Sequence, residues 1–441
     1  MNRTTRSFAA LSLVLTFTAF GASGCVGAPD EQESGVDVAT SNAALSSGSG
    51  VCGGTAPYPW SASEVPGGAD QLPAPKRKVS VSSNADLKNA LSDAKDGDLI
   101  VLANGTYSGS FASTNSGKPG SPIVIMSQSP LGAVFTSDFS ATGDYTVVSG
   151  VVGKSASLII GGKGSRLTRS KVTDYLDRRS IEVALGSSYV RVDHNEIANY
   201  HQQGVSLNTD AGKEPNHIWI DHNSIHDRLA APKGADANLD EAIQLGESIG
   251  TSAVEVHNVV ESNLVTNNPV ADDAISLKSS SDIVCGNTLI DAKGGITARQ
   301  GHDNVILGNF LVNTMLKIHD SGHQVIGNVL QGGTLQVFAG DVAADSPTSV
   351  QPRRGCSAIK AASKDVLIAA NKGKLTVGNI DDTEASCFTF DATNIQIEAH
   401  DPNDVNIDAK HSQNVKQVST TTAKFAPAVK LTASDVGPSS P

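Results

Sequence analysis

Short stretches in which two apolar residues flank one polar or small residue recur along most of this chain: Ile181/Val183/Leu185, Val205/Leu207, Ile243/Leu245, Ile275/Leu277, Ile296/Ala298, Leu316/Ile318 and Leu335/Val337. From Ile275 onward they fall at intervals of 21, 20 and 19 residues. A second set interleaves with the first, each centred on an asparagine that follows a β-rich run: Asn195, Asn223, Asn263, Asn287, Asn309 and Asn328, the last two intervals being 22 and 19 residues. Period-two alternation marks a strand. Two strand columns that share one period predict an all-β fold, a single-stranded right-handed parallel β-helix in which each coil stacks on the last. Asparagine suits its turns because it tolerates left-handed backbone and can bond its own main chain. A β-sandwich is disfavoured because hairpin pairs such as Asn-Gly do not recur.

The composition agrees. The 441 residues include 42 Gly, only 4% are aromatic and 18% charged, which suits many short turns around small branched core residues. A hydrophobic content of 39% excludes general disorder. The 33 Lys and Arg against 45 Asp and Glu give a net charge of −12, which excludes a nucleic-acid or other polyanion binder held by bulk charge.

The chain divides at its ends. Arg3 and Arg6, an apolar run over residues 8–20 and the small residues before Cys25 predict a signal peptide over residues 1–24. Ala22-Ser23-Gly24-Cys25 is similar to a bacterial lipoprotein signal, so Cys25 is a candidate lipid anchor; cleavage and release is the alternative. Residues 25–78, rich in Ser, Gly and Ala, predict a flexible tether. Residues 83–94 carry a polar N-cap and Leu87 and Leu91 four apart, predicting a short helix that caps the N-terminal edge of a domain over 79–420. A C-terminal tail over 421–441 follows. Cys356 and Cys387 are a candidate disulfide or buried free thiols. Long spacings around 227–240 and between Ile243 and Ile275 predict insertions that line one face.

If Ile275 and Leu277 point inward, Ser276 and Lys278 point out, and the same parity puts Gln244, Arg299, Lys317 and His319 outside. Lys278, Arg299 and Lys317 then form a short positive ladder on an acidic chain, either a track for an acidic polymer or simply a solubilised strand. His194, His201, His222 and His226 lie in strand and turn segments, where their spacing does not converge on a metal.

The segments DGDLIVLANGTY at 96–107, RLTRSKVTDY at 166–175, the DHN motifs at Asp193 and Asp221, NLDEAIQLG at 238–246, AISLKS at 274–279 and GGITARQGHDNVILGNF at 294–310 together resemble polysaccharide lyase family 6. That β-helix group contains alginate lyases and chondroitinase B. The resemblance implies Lys278 as the Brønsted base and Arg299 as the acid or leaving-group partner. It implies substrate binding by Lys317, with Gln244, Gln300 and His319 as further candidates. Gln300 stands where the family often has His, and Gln244 where it often has Arg. A Ca²⁺ site is implied at Asn238 and at positions seven and five residues before Lys278, but these are Ala271 and Asp273, so one carboxylate is missing. The Asp272 side chain should face the other way.

The expected function is a lyase that cleaves a 4-linked uronate polymer, alginate first, by β-elimination. Chondroitin or dermatan sulfate is the runner-up. Pectate, suggested by WIDH at 219–222, and an inactive surface polysaccharide-binding protein, suggested by Gln300 and Ala271, are further alternatives. The implied partner is an acidic polysaccharide, with no nucleic acid, a monomeric state and membrane contact only through Cys25. The implied location is bacterial and exported: an outer-surface lipoprotein or a secreted or periplasmic protein.

Overall fold

The computed structural model describes Cys52 and residues 74–207, 209–230, 241–246, 253–269, 272–341, 360–378 and 391–439. The signal segment, Asn238, Ala271, Cys356 and Cys387 lie outside the described residues.

From Asp98 to Ile318 each coil contributes three strands, rather than the two columns that the periodicity suggests. The run Val259–Glu261, Leu264–Asn268 and Ile275–Lys278 is one such coil, and Ile283–Cys285, Thr288–Ala292 and Ile296–Gln300 is the next. The first strands of successive coils pair in parallel as a 14-stranded sheet, and the second and third rows belong to a 21-stranded sheet. The chain is thus a right-handed parallel β-helix. Its interior is one continuous stack of Ile, Leu, Val and Ala, with Phe111, Phe135 and Phe139 grouped in the early coils. Leu185, expected inward, is exposed because strand Arg179–Val183 ends before it. The capping helix forms over Asn84–Ser92, with Ser83 as N-cap accepting from the Asp86 N–H, and Leu87, Ala90 and Leu91 buried.

The asparagines sit in the turn between the first and second rows, but for a different reason from the one expected. The left-handed residue is the one before each asparagine: His194, His222, Ser262, Gly286, Gly308, Gly327 and Ala370 all have φ between 52° and 64°. The asparagine side chains instead link coil to coil. Asn287 Oδ1 accepts from the Asn263 N–H at 2.9 Å, and Asn287 Nδ2 donates to Val260 O at 2.9 Å and to Asn309 Oδ1 at 3.0 Å. The same pattern runs through Asn195, Asn223, Asn263, Asn309 and Asn328 to Asn371, all buried. It satisfies turn amides that water cannot reach.

A shorter ladder joins Asn258, Asp282, Asn304 and His323. Burial pushes the Asp282 carboxyl up to about 7, against the hydrogen bonds it accepts from Ser279 and Asn258. A carboxyl raised in the folded state favours folding below its unfolded pKa near 4, and that contribution is lost as pH rises towards 7. Asp282→Asn keeps an acceptor for the Asn258 N–H but cannot ionise. Its melting temperature is expected to exceed that of the parent above pH 7, with the gap closing towards pH 4, as thermal scans across pH would record.

On the outside of the first row, Arg166 binds Asp193 at 2.6 Å and Arg191 binds Asp221 at 2.7 Å. Burial alone would raise Asp193, but Arg166, His194 and Arg191 together hold it well below the usual carboxylate range. His194 pairs with Asp193, His222 with Asp221 and His226 with Asp227, while His201 meets the Ala230 carbonyl, so these histidines have protein partners.

Two segments far apart in sequence lie on this wall. Cys52 forms a disulfide with Cys285, with Cα atoms 5.6 Å apart, so the stretch expected as a free tether is covalently fixed at that point. Residues 419–439 run back along the coils. Phe425 covers Gly327, the Leu431 N–H donates to Thr288 Oγ1 at 2.8 Å, the Gly437 N–H to His222 O at 2.9 Å, and Arg169 donates to Pro438 O at 3.2 Å.

Candidate active site

The candidate residues project from the third row. Along its outward column Gln244, Ser276, Thr297 and Lys317 stand in register on successive coils. Lys278 and Arg299 do not continue one straight ladder with Lys317, as simple parity predicted. The register shifts after Leu277, so that Leu277 faces Ala298 while Lys278 faces Gln300, and Arg299 is the extra residue between them. Such a bulge re-aims a side chain locally. Gly246, at φ +78°, makes the irregularity possible: a Cβ there would lie 2.3 Å from the Lys278 carbonyl oxygen.

The three cations are organised by two carboxylates. Lys278 Nζ donates to Glu241 Oε1 at 2.8 Å, and both side chains are buried. Burial pushes the Glu241 carboxyl above its usual range, against the pull of Lys278. Asp273, with its side chain 1% exposed, sits between the other two cations. Lys317 Nζ donates to Asp273 Oδ1 at 2.8 Å and to the Asp272 carbonyl at 2.9 Å, while Arg299 Nη1 donates to Asp273 Oδ2 at 3.1 Å. Thr297 and Ser276 hydroxyls complete its shell at 2.7 and 3.1 Å. Burial opposes ionisation of Asp273, yet Lys317 and Arg299 hold it well below the usual carboxylate range.

The remaining candidates lie deeper than expected. Gln244 is fully buried and accepts from Gln203 Nε2. Gln300 is buried beside Lys278. His319 is buried against Phe338, bonded to its carbonyl at 3.0 Å, and burial pushes its imidazole down to about 4, so it is neutral at pH 7. These three support the wall rather than face solvent. Glu241 and Gln203 were missed by sequence reasoning. Glu241 precedes strand Ile243–Leu245, where parity says nothing about direction, and Gln203 acquires a partner only when the coils stack.

Calcium takes six to eight oxygen ligands. Asn238 and Ala271 lie outside the described residues, and both oxygens of Asp273 are engaged by side-chain cations and hydroxyls. Among the described residues no three His, Cys, Asp or Glu side chains converge. The described residues therefore do not fit a calcium site. A cavity of about 580 Å³ near Asn371, His400 and Phe425 is lined by none of the candidate residues. An extended polymer can lie along a coil wall without a closed cavity.

A parallel β-helix whose wall carries a buried lysine, an arginine beside it and a second lysine over a shared carboxylate has the parts of a polysaccharide lyase. The chain belongs to the chondroitinase B family, polysaccharide lyase family 6: that family's profile matches residues 81–331, more than half of the chain. Among solved structures it is similar to a mannuronic acid specific family 6 lyase from human gut microbiota, at 19% identity over 78% of this chain and 92% of that one, with a TM-score of 0.60. It is also similar to the family 6 polysaccharide lyase Pedsa3628 from Pseudopedobacter saltans, at 16% identity over 82% and 99%, TM-score 0.62. A third is the alginate lyase AlyF-OU02, solved in complex with G6, at 16% identity over 78% and 86%, TM-score 0.60. At these identities the likeness establishes the shared β-helix. No curated protein matches the chain.

Proposed function

We propose that this lyase cleaves alginate by β-elimination, with Lys278 as base and Arg299 as the partner of the departing oxygen. The observation that carries the reading is that buried Lys278 and Arg299, the extra residue of the bulge, stand on adjoining strands of the wall of a family 6 helix. Support for alginate comes from the solved relatives, several of which are described as alginate lyases.

In the proposed step the neutral Lys278 amine takes the C5 proton of a uronate. The C5–H electron pair becomes the C4=C5 double bond as the C4–O4 bond breaks. O4 leaves with its electron pair and takes a proton from water, and Lys278 returns its own to solvent. Arg299 steadies the charge that builds on O4. The test is a panel of alginate, polyguluronate, dermatan sulfate and pectate, followed by ultraviolet absorbance of the unsaturated product. Turnover of dermatan sulfate or pectate in preference to both alginates would overturn the substrate assignment.

Glu241 holds the base in place, its Oε1 accepting from Lys278 Nζ at 2.8 Å. We also propose export, with Cys25 as a lipid anchor; the Cys52–Cys285 disulfide supports an oxidising compartment.

A further inference from the structure

Removal of the C5 proton requires a positive charge at the substrate's own carboxylate, because only then can that group absorb the electron density left on C5. We propose that the Lys317 ammonium is that charge, a cation built into the wall, so that the reaction proceeds without a divalent ion. The proposal rests on the elimination assigned above to Lys278 and Arg299.

Charge balance is the first argument. The carboxylate beneath Lys317, Asp273, is shared with Arg299, so Lys317 is not neutralised one to one and keeps its attraction for a uronate carboxylate. The second is placement. The Lys317 side chain is 18% exposed while the Asp273 beneath it is 1% exposed, so the anion is hidden and the cation is presented to substrate. The third is hydrogen-bond capacity. An ammonium has three N–H donors. Two of them are spent on Asp273 Oδ1 and the Asp272 carbonyl, which fixes the nitrogen and leaves one donor for a ligand. A charge held in place before substrate arrives need not reorganise during reaction. Register is the fourth: Lys317 pairs with Thr297, two residues before Arg299 on the adjoining strand, so a sugar whose O4 meets Arg299 can direct its carboxylate to Lys317.

The test uses the whole protein and two variants, Lys317→Ala and Lys317→Arg. The wild-type rate on alginate should be unchanged by EDTA, and its melting temperature unchanged by added CaCl₂. Lys317→Ala should lose about 100-fold or more in kcat, with a smaller change in KM. Lys317→Arg, which keeps the charge, should recover much of the loss, and that recovery separates charge from a merely structural role. Loss of the wild-type rate in EDTA with recovery in calcium, a calcium-dependent rise in wild-type melting temperature, or near-wild-type kcat in a folded Lys317→Ala would each overturn the proposal. If the wild type cleaves none of the uronate polymers, the lyase assignment falls, while the calcium titration still decides whether the site takes a metal.

Discussion

Lys278→Ala is expected to lower kcat on alginate by about 10²- to 10⁴-fold, the range for removing a positioned general base. Substrate affinity, measured by equilibrium binding to unsaturated or reduced oligosaccharides, should change much less, because Arg299 and Lys317 remain to hold the sugar. The variant also leaves Glu241 without its cation in a buried site, which costs stability. Lys278→Ala combined with Glu241→Gln removes that penalty and should fold as well as the parent yet remain inactive. Turnover at the wild-type rate in either variant, read from the ultraviolet absorbance of the unsaturated product, would dismiss Lys278 as the base.

Asn287→Ala should unfold the protein at markedly lower denaturant concentration, by about 3–5 kcal/mol. The side chain it deletes satisfies the Asn263 N–H and the Val260 carbonyl and bonds the side-chain amides of Asn263 and Asn309, in a turn that water cannot reach. Each buried polar group left unmatched costs roughly 1–3 kcal/mol. Asn313 provides the comparison: it is exposed, and its amide makes one bond to Asp291 at 2.8 Å. Asn313→Ala should cost about 1 kcal/mol or less. Equal effects for the two variants, read from urea midpoints at unchanged slope, would mean that the internal column contributes no more than a surface turn.

The two kinds of asparagine explain how far the sequence could be read. Asn195 to Asn328 announce themselves because a ladder needs one acceptor and one donor at the same place in each coil, and that need recurs with the period of the coil. A third strand per coil went uncounted because the asparagine-centred column merges two rows, one ending just before the asparagine and the next starting just after it, as Ile283–Cys285 and Thr288–Ala292 do around Asn287. Lys278, Arg299 and Lys317 could be found from alternation alone, since outward residues are set by parity. Their offset could not, because a bulge shifts register by one residue and leaves no mark except a glycine on the coil before it. Asp273 and Glu241 illustrate the remaining limit. Both lie in irregular backbone before a strand, where direction is decided by stacking rather than by period. Only the family resemblance ties Asp273 to calcium; period says nothing of the side-chain cations with which the fold surrounds it.

The path of residues 419–439 changes how such a stack should come apart. A solenoid whose coils touch only their neighbours can fray inward from either end, one repeat at a time, and its unfolding broadens as repeats are added. Here residues 419–439 bond to Thr288, His222 and Arg169, passing over coils that lie much earlier in the chain. Peeling any terminal coil then requires this clasp to be released from the middle of the stack as well. Nearest-neighbour bookkeeping no longer applies, and the coils between Arg169 and Gly327 are bound to melt together as one cooperative block.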